Sequence, residues 1–133
     1  MPDTTLARPA APFKPLRGVR ILSLALNLPG PAALMRLRAL GATCSKVEPP
    51  GGDPLGVYKR SAYDVLHQGI KVFAADLRSE AGQKAVHKEL ARSDLLLTSF
   101  RPSALRKLDM DWATLHKRYP RLSQIDIVGA GGA

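Results

Sequence analysis

Ser99-Phe100-Arg101 follows the apolar run 94–98 directly. An aromatic ring beside a guanidinium can sandwich a flat heteroaromatic group while the positive charge meets phosphate. Arg106 and Lys107 lie within two helical turns of this trio, and Arg78 follows another apolar run, 71–75. Taken singly, each of these charges reads as a solvated surface side chain. Their common place after apolar runs groups them, and the chemistry they suit is the holding of an anionic, partly flat ligand.

Glu48 and Asp53 bracket the Pro-Gly loop 49–52. Two carboxylates at one loop can do acid/base work. Such residues also cap loops and pair with surface lysines, and the expectation here is pairing with Lys46 or Lys59. His67, His87 and His116 have no metal-like spacing to one another or to Cys44, so no metal site is expected. His87 and His116 are expected on exposed helix sides, and Cys44 as a buried structural thiol. The turn Asn27-Leu28-Pro29-Gly30-Pro31 contains no GxGxxG and no GxxxxGK[ST], so neither a dinucleotide fingerprint nor a P-loop is present. Gly30 either permits a sharp bend or leaves the N–H groups of a following helix open to an anion.

The elements that must position these residues alternate. Short apolar runs at 19–24, 43–47, 71–75, 94–98 and 122–128 read as strands. Helical periodicity places helices at 32–40, 80–91, 103–108 and 111–119, while 58–67 stays ambiguous between a short helix and a loop. This alternation predicts an α/β fold, a doubly wound and mostly parallel sheet whose ligands lie at the C-terminal ends of the strands. Residues 1–15, rich in Pro and Ala, are expected to be a flexible lead-in, and 16–133 a single domain. The glycine-rich end 129–133 directly follows a strand, and in this topology a further loop and helix are expected after it.

Composition narrows the partners. Twenty Lys and Arg against eleven Asp and Glu give a net charge of +9, spread along the chain, which favours an anionic partner. Aromatic residues make up 5% of the chain and no nucleic-acid motif is present, so no nucleic-acid partner is expected. No apolar stretch approaches the roughly 18 residues that span a bilayer, and no membrane partner is expected. The single cysteine fits a reducing, cytoplasmic setting.

The ordered segments PLRGVRILSL, Gly30-Pro31, LRALGATCSKVEPPGGDP, KVFAADLRSEAGQKAV, SDLLLTSFRPSALRKL and YPRLSQIDIVGAGG resemble the family III CoA-transferases. This CaiB/BaiF group includes formyl-CoA transferase and the α-methylacyl-CoA racemases. The resemblance runs from about residue 15 to residue 132 and implies a Rossmann-like portion of a larger fold in which two chains form interlocked rings. It implies a substrate pair of acyl-CoA and a carboxylic acid, a homodimer when complete, and coenzyme A as the bound group. CoA-contacting positions carry over onto Leu28, Pro29, Ala75, Leu77, Arg78, Ser99, Phe100, Arg101 and Lys107.

The resemblance places the catalytic Asp of the transferases, and the His and Asp of the racemases, downstream of the segment matching 129–132. No catalytic residue is therefore expected in this chain, whose role would be CoA binding. Racemisation of an acyl-CoA, or binding of CoA or another anion without catalysis, are the alternatives. The chain departs from the family pattern at His67-Gln68-Gly69-Ile70-Lys71, where Asn-Arg-Gly-Lys-Arg is usual, at Thr98-Ser99, where Glu-Asn is usual, and at Asp109, where glycine is usual.

Overall fold

The computed structural model describes residues 13–129. Strands β1 (Arg20–Ser23), β2 (Thr43–Glu48), β3 (Lys71–Ala74), β4 (Leu95–Thr98) and β5 (Ser123–Asp126) form one sheet in the order β3-β2-β1-β4-β5. Every pairing is parallel. The order reverses between β1 and β4, the point at which doubly wound sheets open a crevice beyond their strand ends.

The interior strands β1, β2 and β4 are largely buried, whereas the edge strands β3 and β5 are exposed or half-buried. In β1, Ile21 packs into a cluster with Ala25, Leu34, Cys44, Ile70 and Leu97, under helix α1 (Pro29–Ala39). The neighbouring Leu22 points the other way, into a cluster with Val47, Val86, Leu90, Leu105, Met110 and Leu115. That second layer is supplied by α4 (Glu80–Leu90), α5 (Pro102–Lys107) and α6 (Trp112–Arg118). Alternate residues thus serve opposite cores, which is why these strands read as continuous apolar runs.

Helix starts follow their caps. The Ser79 hydroxyl accepts from Gly82 N at 2.9 Å at the head of α4, and Asp111 accepts from Thr114 N at 3.3 Å at the head of α6. Proline opens α1 and α5, where its missing N–H removes no intrahelical bond. Because that rule tolerates both Pro29 and Pro31 in a first turn, α1 begins earlier than the expected 32–40. The ambiguous segment resolves into two helices, α2 (Pro54–Tyr58) and α3 (Arg60–Leu66), the first capped by Asp53 through Leu55 N at 2.9 Å.

Most of the expected lead-in 1–15 lies outside the described residues, as do 130–133. Within 13–15, Lys14 Nζ donates to Ala39 O at 3.4 Å. Among the described residues, no helix is long and apolar enough to cross a membrane.

Candidate functional site

Beyond the C-terminal ends of β2, β3 and β4 lies a cavity of about 750 Å³, within the size range of small-molecule sites. Val47, Glu48, Pro49 and Pro50 form one wall, Ala75 to Arg78 and Gln83 another, and Phe100, Ala104, Lys107, Leu108 and Asp109 close it. Its apolar lining continues the α4–α6 core, against which Phe73, Ala75, Leu77, Phe100 and Leu108 pack. Its two cations, Arg78 and Lys107, are exposed, as is Asp109, whereas Asp76 is half-buried and Glu48 buried.

Five of the nine residues expected to contact a ligand meet here: Ala75, Leu77, Arg78, Phe100 and Lys107. The other four do not line this cavity. Leu28, 54% exposed, caps α1, and Pro29 is that helix's first residue. Arg101 occupies the cap position of α5 with its side chain exposed and no capping bond. Ser99 is turned inward, its Oγ accepting from Leu26 N at 3.0 Å, so it fastens the loop after β4 to the turn after β1.

Two bracing features were not foreseen. Gln83 Nε2 donates to Leu77 O at 2.6 Å and to Leu108 O at 3.1 Å, and one amide thereby ties the two walls together. Asp76 Oδ1 accepts from both Arg78 N (3.0 Å) and Arg78 Nε (3.2 Å). The Arg78 amide, and then its guanidinium, hold the Asp76 carboxyl below its ordinary range. Asp109, at a position where the resemblance expects glycine, has φ of 55°. Asp is among the few side chains that tolerate this left-handed region.

Next to the cavity the structure buries a cluster of charges. Lys46 is 0% exposed, and its Nζ lies 2.5 Å from Asp53 Oδ2, 2.8 Å from His67 Nε2 and 3.2 Å from Glu48 Oε2. The ammonium hydrogen-bonds Asp53 and His67 and forms an ion pair with Glu48. Tyr63 OH donates to Glu48 Oε2 at 2.7 Å, and the Tyr63 ring stacks on His67 with centroids 3.9 Å apart. Asp53 Oδ1 also accepts from Asn27 N (3.0 Å) and Leu55 N (2.9 Å).

Pairing of these carboxylates with Lys46 was the expectation, but on the surface; the pair is buried because β2 is an interior strand. That signal was available, since a lysine inside a strand covered on both faces must find buried partners. Lys59 takes no part among the contacts of Glu48 and Asp53 described here. His67 lies inside the cluster. Glu48, Asp53 and His67 place donor atoms within 4.8 Å of one another, a spacing that suits a metal ion. Lys46 Nζ contacts all three, so the cation they hold is the ammonium.

Charge states follow from these contacts. Burial would raise the Asp53 carboxyl, but Lys46 and the amides of Asn27 and Leu55 prevail and hold it below its ordinary value. Burial lowers the His67 imidazole; the Tyr63 carbonyl and the two carboxylates oppose this, and Lys46 adds to it. Burial and the neighbouring Glu48 carboxylate push the Tyr63 phenol up. The remaining histidines are partly buried, not exposed: His87 Nδ1 meets Tyr119 OH at 2.7 Å, and His116 stacks on Trp112 at 4.5 Å.

The parallel sheet with this strand order carries, at its strand ends, an apolar cavity lined also by Glu48, Asp76, Arg78, Lys107 and Asp109. Comparison with known proteins gives the family. The model of CoA-transferase family III matches residues 16–133, and the chain belongs to that family. It is 35% identical over 125 residues to cinnamoyl-CoA:phenyllactate CoA-transferase of Clostridium sporogenes, covering 86% of this chain and 30% of that one. It is 37% identical to succinyl-CoA–D-citramalate CoA-transferase of Chloroflexus aurantiacus, covering 90% and 32%.

Among solved structures, a CAIB/BAIF family protein of Brucella suis superposes with a TM-score of 0.81 at 30% identity, covering 90% of this chain and 35% of the other. A Mycobacterium tuberculosis protein gives a TM-score of 0.84 at 32% identity, covering 92% and 36%. The chain therefore spans about a third of the length of the relatives it matches.

Proposed function

We propose that the cavity binds coenzyme A, and that the chain is the CoA-binding portion of an enzyme that moves CoA between an acyl-CoA and a carboxylic acid. The observation that carries this reading is the cavity's split character. Phe100, Ala75, Leu77 and Leu108 offer a surface for a flat ring and a pantetheine chain, while Arg78 and Lys107 stand at the edge for phosphates. Coenzyme A has all three parts, and charge-assisted bonds to its phosphates are the stronger kind. The net charge of +9 favours the same anion.

The names of the two curated relatives, both CoA-transferases acting on a CoA thioester and an organic acid, support carrying this activity over. In this reading Leu28, Pro29, Ser99 and Arg101 belong to the wider binding rim, whose turns they form or fasten. The carboxylate that performs the transfer is not assigned to any residue of this chain; the reading places it in downstream polypeptide, within a cytoplasmic homodimer.

Calorimetric titration with CoA tests the reading. Saturable binding is expected, weakened by about 1.5–3 kcal/mol in Arg78→Ala or Lys107→Ala, the range for hydrogen bonds to charged groups. A folded sample that shows no saturation at millimolar CoA would sink it.

A further inference from the structure

The buried cluster joins one wall of the cavity to the turn after β1. Glu48 belongs both to the cluster and to the cavity wall, followed there by Pro49 and Pro50. Asp53 reaches the turn after β1 through Asn27 N, and that turn continues into Leu28 and Pro29. Asn27 itself has φ of 66°, a left-handed conformation that needs local bonding to be held. Its side chain accepts from Tyr58 OH at 3.1 Å, so α2 grips the same residue.

His67 completes this hub in one protonation state alone. Its Nδ1 lies 2.7 Å from the Tyr63 carbonyl oxygen, which can only accept, so Nδ1 carries the proton. Its Nε2 faces the Lys46 ammonium, which can only donate, so Nε2 presents a lone pair. A second proton on the ring would set an N–H against the ammonium at that contact. The imidazolium would then compete with Lys46 for Asp53 and Glu48.

We propose that His67, Lys46 and Asp53 form a proton-sensitive positioning hub, in which protonation of His67 loosens the hold of Asp53 on Asn27 and lets the turn before α1 shift. The charged and titratable groups facing His67 are Lys46 and Glu48 from β2, Asp53 from the loop before α2, and Tyr63 from α3. Arg60 of α3 lies over the far ring of that stack, 4.6 Å from the Tyr63 centroid, and Arg38 of α1 donates to Gly69 O near the end of the same segment. Burial and Lys46 oppose protonation while the Tyr63 carbonyl and the two carboxylates favour it, so the proton enters His67 below the usual imidazole range and the hub opens on acidification.

Nuclear magnetic resonance of the ¹⁵N-labelled chain tests this without any ligand. At neutral pH the His67 ring is expected as the neutral tautomer protonated at Nδ1. On acidification the amide signals of Asn27 and Leu55 should shift with the same midpoint as the His67 ring. In His67→Gln, whose amide can still accept from Lys46 but does not titrate, that shared transition should vanish. Asn27 and Leu55 signals that stay still while His67 titrates would overturn the proposal. So would a His67 ring that stays neutral until the chain unfolds, or an unchanged transition in His67→Gln. Should the variant fail to fold, the wild-type tautomer and shared midpoint decide alone.

A second arm, which rests on CoA being the ligand, compares CoA titrations at neutral and mildly acid pH. Affinity should fall further on acidification in the wild type than in His67→Gln, which controls for titration of the ligand's own phosphate. An equal fall in both counts against the hub's link to the site. Absence of CoA binding at any pH would remove the reading of the cavity, and the hub would stand or fall on the amide transition.

Discussion

The Lys46 ammonium sits 2.8 Å from His67 Nε2 while also contacting Asp53 and Glu48, and none of the four side chains is exposed. A buried cation among such partners is held by geometry more than by net Coulomb gain, because desolvation offsets most of the attraction. Its removal is another matter, since two carboxylates would remain buried without a counter-charge.

Lys46→Met should therefore destabilise the chain by about 3–5 kcal/mol, the range for breaking a buried pair from one side. Urea denaturation followed by circular dichroism reads this directly. A loss below about 1 kcal/mol, typical of an exposed pair, would mean that the cluster is hydrated in solution.

Stability should also depend on pH in a defined direction. His67 and His87 are both lowered by burial, so the unfolded chain binds protons on these rings more readily than the folded one. Their contribution is complete above the unfolded imidazole value, 6.5, and is lost as pH falls from there through the lower folded values. Melting temperature is expected to fall between pH 7.5 and pH 5, and to fall less in His67→Gln. A melting temperature that rises on acidification in this window would contradict the charge states assigned here.

Cys44 is buried beneath α1, its Sγ 3.9 Å from Leu34 O. Burial pushes the thiol up to about 11, against a smaller opposing effect of Arg38. Both access and ionisation thus protect it. Alkylation by iodoacetamide at pH 8 should proceed only at the rate of unfolding and become fast in denaturant. Rapid labelling of the native chain would show that α1 does not cover this face.

Gly82 lets α4 rest directly on the loop that forms one cavity wall: a Cβ there would overlap the Asp76 carbonyl oxygen, a backbone atom that cannot swing aside. Gly82→Ala should cost about 1–3 kcal/mol as overpacking and displace Asp76, Leu77 and Arg78 together. Amide shifts confined to 75–83 and 108 in a folded variant would bear this out; a variant as stable as the wild type would refute it.

The fold was legible in the sequence to the extent that burial on both faces leaves a mark. All five strands lie within a residue or two of their expected places, because runs such as ILSL and LLLT carry no charged residue. The helices at 54–66 were obscured by Pro54, Gly56 and the break at Lys59, where local propensity favours a loop and Asp53 capping overrides it. Of the cavity lining, Phe100 and Arg78 were legible from their places after β4 and β3, although Ser99 and Arg101, also after β4, do not line it. Gln83 was not, since nothing in its position along α4 shows that Leu77 and Leu108 come within its reach. The charge hub was half legible: its partners Lys46, Glu48 and Asp53 are close in sequence, whereas His67 joins them only through the packing of α3.

The most direct test of the central claim is a map of CoA contacts, obtained from amide and aromatic signals of the labelled chain during CoA titration. The account predicts saturable shifts concentrated at Ala75, Leu77, Arg78, Phe100 and Lys107, around the cavity above β2, β3 and β4. Shifts confined instead to the groove between α4 and α6, at Lys84, Lys88 and Arg118, would contradict it.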